Sequence, residues 1–307
     1  MPVLRVRADN GFLVARDGIL LCFFMRRSHG EVAPTVWRAL QMYLRAIPPQ
    51  TLSWYVAWGG ILPLDAQGWE HIREEMLERP CPVSRSVHLH EHRDEAGSYS
   101  FEYYGRRLDA PPFARDENST CAVFFTLPTE YLVEHGPARV RALALELARE
   151  LPFSFGYASF ALVTFPTQDW YATRRAVREL RDRYPGLDIY NIEQTSRVIG
   201  TRARGAYWLT FLGEPLLGQL GGLKSLRQRL PFPDISVHSL DDERSLLTLG
   251  EWPEAIDTER ERPPPQLLAL ARLLEPFMYR EEVTGWFFHD DGEGMEDMRR
   301  WIRRFCP

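Results

Sequence analysis

Two apolar runs about a hundred residues apart, "ILLCFFMRR" from Ile19 and "STCAVFFTLP" from Ser119, echo one another, with Cys121 standing where Cys22 stood. Each reads as a core strand, and each is followed by an amphipathic helix with a proline near its start. The first is "VAPTVWRALQMYLRAI", with Pro34 and an apolar set of Val36, Trp37, Leu40, Tyr43, Leu44 and Ile47. The second is "GPARVRALALELAREL", with Pro137 and Val140, Leu143, Ala144, Leu147 and Leu151 on one face. After each helix comes an aromatic and small-residue strand, "TLSWYVAWGGILPL", read as a buried strand, and then "FSFGYASFALVTF". The repetition predicts an α+β fold of two related strand-helix-strand halves, 13–108 and 119–278, with mixed sheets sharing one large core. A C-terminal helical tail, 279–307, packs back through Trp286, Phe287, Phe288, Trp301 and Ile302, and the whole chain, 1–307, is read as a single domain.

Later in the first half, "AQGWEHIREEMLER" reads as a helix, and "SRSVHLHEHRD" with "SYSFEYYGRRL" as a hairpin turning at Glu95-Ala96-Gly97. Beyond Tyr171 lie a charged helix ending at Pro185-Gly186, a glycine-rich stretch and a short basic helix near Lys224. Strands "DISVHSL" and "RSLLTLGEW" and a proline-started helix, "PPPQLLALARLLEPFM", follow.

A chain of 307 residues, 45% hydrophobic and 26% charged, has the composition of a soluble globular protein. No run of twenty apolar residues spans a membrane. The four cysteines, Cys22, Cys81, Cys121 and Cys306, have no CxxC spacing, and two lie in apolar runs, which fits a reducing cytoplasm. A net charge of −5 argues against direct nucleic-acid binding, although the helix from Arg174 to Arg183 is arginine-rich.

The motifs that suggest chemistry are incomplete. Gly213 and Gly218 have Walker spacing, but Gln219-Leu220 stand where Lys-Ser/Thr must be, so the stretch reads as a structural turn. His88, His90 and His92 alternate, which on a strand puts them on one face about 7 Å apart, the best candidate metal ligands in the chain. They support an alternative reading as a metal-dependent hydrolase, yet no companion Cys or HExxH accompanies them. The acidic stretch His289 to Asp297 lacks the Asp-x-Asp-x-Asp-Gly order of a calcium loop. No GxSxG elbow occurs. The reading is of a protein that is not an enzyme and uses no cofactor.

From Asp234 to Glu261 nine carboxylates face two arginines, a net of −7 against −5 for the whole chain. Such clustering steers a basic partner. The candidate contact residues are Asp241, Asp242, Glu243, Glu251, Glu254, Asp257 and Glu259, with Trp252 as an anchor, joined by Trp286, Asp290 and Asp291 in the tail.

The segments "GTRARGAYWLTFLGEPLLGQLGG", "RSLLTLGEWPEAIDTE" and "LLEPFM" resemble the TsiV-like family of type VI secretion immunity proteins, named for immunity to VRR-Nuc effectors. The resemblance runs from about Leu13 to Met278 and leaves the tail unmatched. It implies a non-catalytic, cytoplasmic antidote that binds and neutralises a cognate toxin, a nuclease, by occluding its active or DNA-binding site. The family's effectors carry a PD-(D/E)xK constellation, whereas Lys224, the single lysine here, has Gly222 where the acidic residue belongs. This chain is therefore read as the antidote.

Overall fold

The computed structural model describes residues 3–164, 174–280 and 292–307. The strands are β1 Arg5–Arg7, β2 Leu13–Met25, β3 Trp54–Ala57, β4 Gly60–Pro63, β5 Ser84–His90, β6 Ser100–Arg106, β7 Cys121–Pro128, β8 Phe155–Thr164, β9 Leu209–Leu212, β10 Ile235–Ser239 and β11 Ser245–Leu249. The helices are α1 His29–Ala46, α2 Ala66–Leu77, α3 Thr129–Glu150, α4 Arg174–Arg183, α5 Ile192–Val198, α6 Leu216–Gln219, α7 Gly222–Arg229, α8 Pro265–Leu274 and α9 Gly292–Ile302. A single eleven-stranded sheet runs β10-β11-β9-β8-β2-β7-β6-β5-β3-β4, with β1 paired to β2. Every named pairing is antiparallel, so the expected mixed sheets are replaced by one antiparallel sheet.

The two echoing runs, β2 and β7, lie side by side at the centre, paired from Gly18↔Pro128 to Met25↔Cys121. Alternation along each strand sends successive residues to opposite faces. Leu20, Cys22 and Phe24 join Ala122 and Phe124 in one core, while Leu21, Phe23 and Met25 join Cys121, Val123 and Phe125 in the other. Cys22 and Cys121 thus occupy opposite faces and are not equivalent. Nor do the halves repeat in topology: β8, the first strand after α3, lies beside β2, whereas β3, the first after α1, lies beyond β7, β6 and β5. The likeness reflects what any strand at the middle of a twice-covered sheet must be, which is apolar on both sides.

Helices α1, α2 and α3 cover one face through Val36, Leu40, Tyr43, Ile72, Met76, Leu143 and Leu147. The later helices cover the other through Val177, Ile192, Leu216, Leu226, Leu270, Trp301 and Ile302. Of the tail residues expected to pack back, Trp301 and Ile302 are buried, and Trp286, Phe287 and Phe288 lie outside the described residues. α1 begins three residues before the predicted segment, because the Ser28 backbone N–H donates to the Glu31 carboxylate (3.0 Å) across the first turn. α3 starts upstream of Pro137 and breaks at Gly136 (φ 78°), a conformation that a side chain disfavours.

The run "TLSWYVAWGGILPL" is not a buried strand. It folds as the edge hairpin β3-β4, with Ala57 paired to Gly60 and the fully exposed Trp58 at its tip. The glycine-rich stretch is a tight turn after β9. A Cβ on Gly213 would sit 2.3 Å from the Phe153 carbonyl oxygen, and its N–H donates to the Ser154 carbonyl at 3.0 Å. Among the described residues, no helix is long and apolar enough to cross a membrane.

Candidate functional site

The acidic run divides into two groups, because β11 passes through the middle of it. The turn from β10 to β11 carries Asp241, Asp242 and Glu243 at one end, and the loop after Leu249 carries Glu251, Glu254, Asp257 and Glu259 at the other. Five residues of strand between them span about 17 Å.

At the turn end, Arg244 holds Asp241 (2.6 Å) and donates to the Ala148 and Leu151 carbonyls at 3.0 and 2.6 Å, which fixes the turn against the end of α3. Hydrogen bonding from Arg244 keeps the Asp241 carboxyl below its ordinary pKa despite partial burial. Asp242 and Glu243 are exposed and make no ion pair among the described residues. They rim a groove of about 850 Å³ into which Arg26, Arg27 and Arg149 also project, with Glu31, Glu150 and Glu214.

At the other end two of the four carboxylates are paired internally, while Glu251 and Glu254 make no ion pair among the described residues. Asp257 lies 3.1 Å from Arg183 and 3.6 Å from Arg260, and Glu259 lies 2.9 Å from the same Arg183. Glu254 is exposed, yet partial desolvation of its carboxyl, with Glu261 nearby, raises its pKa. Trp252 is 39% exposed and its remainder lines a cavity of about 40 Å³ with Tyr207, Trp208 and Arg304. Trp286, Asp290 and Asp291 lie outside the described residues.

Behind this end lies a buried ion cluster that sequence reading did not find. Arg204 sits 2.7 Å from both oxygens of Asp188, and the Tyr157 hydroxyl donates to Asp188 Oδ2 at 2.7 Å. Arg304, from the last turn of the chain, lies 3.9 Å from Asp188 and donates to the Pro185 carbonyl at 2.6 Å. Asp188 is fully buried and Arg204 is 4% exposed.

The histidines also separate. Strand β5 ends at His90, so His88 and His90 share a face while His92 lies in the following loop, exposed, 3.8 Å from Glu91. In place of His92, the neighbouring strand supplies Glu102, which is paired directly opposite His88. One ligand atom from each of His88, His90 and Glu102 falls within 4.8 Å of the others. Burial, then the neighbouring His88, pulls the His90 pKa down to about 3, so its imidazole is neutral at ordinary pH.

Comparison with known proteins bears on the whole chain. The family model described as TsiV, type VI immunity for VRR-NUC, matches residues 35–305, which includes the tail and starts later than the resemblance in the sequence suggested. A solved structure described as the Pseudomonas aeruginosa T6SS protein PA0821 is similar in fold, with a TM-score of 0.81 at 21% identity. The similarity covers 100% of this chain and 88% of that one. No curated protein matches the sequence.

Proposed function

Since the chain belongs to the TsiV family of type VI immunity for VRR-NUC, and is thus an immunity protein and not an enzyme, we propose that it neutralises a cognate nuclease effector by covering its DNA-binding site. Family membership across 35–305 is the observation that carries this reading. A nuclease presents basic surface to phosphate, and a carboxylate-bearing protein surface competes for it.

The turn between β10 and β11 is the best contact site among the acidic residues. Its Asp242 and Glu243 are exposed and make no ion pair among the described residues, on a backbone that Arg244 pins, although Arg26, Arg27 and Arg149 line the same groove. The acids from Glu251 to Glu259 are weaker candidates because Arg183 and Arg260 already neutralise part of them. Trp58 stands at the other end of the strand path, on the order of 40 Å away by strand spacing. A partner of standard interface size, about 1,600 Å², centred on the acidic turn does not need to reach it.

The test is co-expression with the cognate effector, purification through a tag on one partner, and assay of the complex for DNA cleavage. A stable complex with silenced cleavage that reappears with Asp242→Lys plus Glu243→Lys, and not with Trp58→Ala, supports both the function and the site. Silencing that survives the charge reversal and is lost with Trp58→Ala would move the interface to the β3-β4 edge. Failure to bind any effector would remove the proposal.

A further inference from the structure

We propose that His88, His90 and Glu102 form a zinc-class divalent metal site that staples β5 to β6, independently of effector binding. The donor set is two imidazoles and one carboxylate, a combination that suits zinc and not the all-oxygen coordination of calcium or magnesium. Antiparallel register places His88 opposite Glu102, and the two-residue period of β5 puts His90 on the same face. The three ligand atoms lie within 4.8 Å of one another. Tetrahedral zinc with bonds of about 2.0–2.2 Å separates its ligands by about 3.4 Å, so the side chains need to close by at most about 1.4 Å on binding.

The second observation is the state of Glu102. Its side chain is 7% exposed, and its one ion-pair partner among the described residues is the His88 imidazole at 3.8 Å. A carboxylate taken out of water needs a cation or a full set of hydrogen bonds. Here the Tyr104 hydroxyl donates to Oε2 at 2.7 Å, which orients the carboxylate as a neighbour of a metal ligand does but supplies no charge. The His88 nitrogen 3.8 Å from Glu102 is Nδ1, and its buried Nε2 has no hydrogen-bond partner among the described residues. A divalent ion between these groups supplies the missing charge to Glu102 and takes a lone pair from each imidazole. His88 is the least buried of the three, so a water completes the coordination from its side. The outcome is a cross-link between two neighbouring strands, which accounts for three polar side chains gathered where the sheet is otherwise packed.

The experiment uses the full chain purified without a metal-affinity tag, with metal content measured by mass spectrometry before and after chelation. Thermal unfolding is then followed as zinc is added back. One equivalent of zinc per chain is expected, with Tm rising by about 5 °C at a hundredfold excess over Kd. Glu102→Gln and His88→Ala each weaken zinc binding by about tenfold or more, while His92→Ala leaves it unchanged. Should either variant fail to fold, cobalt(II) substitution of the wild-type chain reports the site directly, since four-coordinate cobalt absorbs visible light far more strongly than the six-coordinate ion. No zinc-dependent change in Tm, a six-coordinate cobalt spectrum, or an equal loss of affinity in His92→Ala would each overturn the assignment.

Discussion

On the face of the sheet covered by α1, α2 and α3, the interior is held by Phe23, Tyr43, Phe125, Leu143 and their neighbours, drawn chiefly from the first half of the chain. The polar contacts within it are neutral hydrogen bonds, as where the Tyr43 hydroxyl donates to the Thr126 carbonyl at 2.6 Å. The opposite face is assembled from segments far apart in sequence and encloses Asp188, Arg204 and Arg304. Apolar packing tolerates imprecision, because any well-shaped hydrophobe contributes. A buried ion pair is indifferent to stability when complete and severe when broken, so it selects one arrangement of the late segments over others.

The largest effect that tests this difference is Arg204→Met, which strands the Asp188 carboxylate. We expect a loss of about 3–5 kcal/mol in chemical unfolding. Adding Asp188→Asn to it should recover at least about 1 kcal/mol relative to the sum of the single changes, since the orphaned charge is gone. Strict additivity would show that the cluster contributes no coupling and that the two faces are alike.

Leu143→Ala on α3 is the counterpart, at about 2–5 kcal/mol for a fully buried leucine. No second truncation on that face should rescue it, because removing a neighbouring side chain enlarges the cavity. A rescuing truncation would mean that the apolar face is also built from specific pairs.

The two faces differed in how readily they could be read from sequence. Strands β2, β7 and β8 and the apolar stripes of α1 and α3 were legible because burial on both sides makes a strand uniformly apolar and helical periodicity is strong over four turns. The edge hairpin was not, since aromatic composition in "TLSWYVAWGG" looks the same whether Trp58 faces core or solvent. The ion cluster was invisible because Asp188, Arg204 and Arg304 have no local spacing that joins them. Two of the three residues of the proposed metal site were legible in the alternation of His88 and His90. Glu102 was not, because the nine residues 91–99 between β5 and β6 leave strand register open, and a shift of one residue exchanges the faces.

A smaller effect separates the faces by pH. His29, at the start of α1, accepts or donates at the Tyr103 hydroxyl (2.9 Å) within the apolar face. Burial, and then the charge of Arg85, lowers its pKa to about 4. In the unfolded chain the imidazole takes up a proton near 6.5, and in the folded chain only near 4, so its contribution is present above pH 6.5 and is lost as pH falls toward 4. With allowance for partial screening, the loss should reach about 1–2 kcal/mol by pH 5. His29→Gln should flatten the stability profile across that window, and an unchanged profile would place the acid sensitivity elsewhere.

The smallest effects concern the exposed acids, where the same contrast between spent and available charge recurs on the surface. Asp257 and Glu259 are held by Arg183, so Asp257→Asn should alter effector association little. Asp242→Lys with Glu243→Lys inverts charge that makes no ion pair among the described residues, and should slow association several-fold at low ionic strength. That difference should vanish near about 1 M salt, where screening acts within about 3 Å. Association rates measured across salt therefore rank the two ends of the acidic run without a structure of the complex. If Asp257→Asn slowed association as much as the double reversal, internal pairing would not predict which carboxylates a partner senses, and the acidic turn would lose its claim as the steering site.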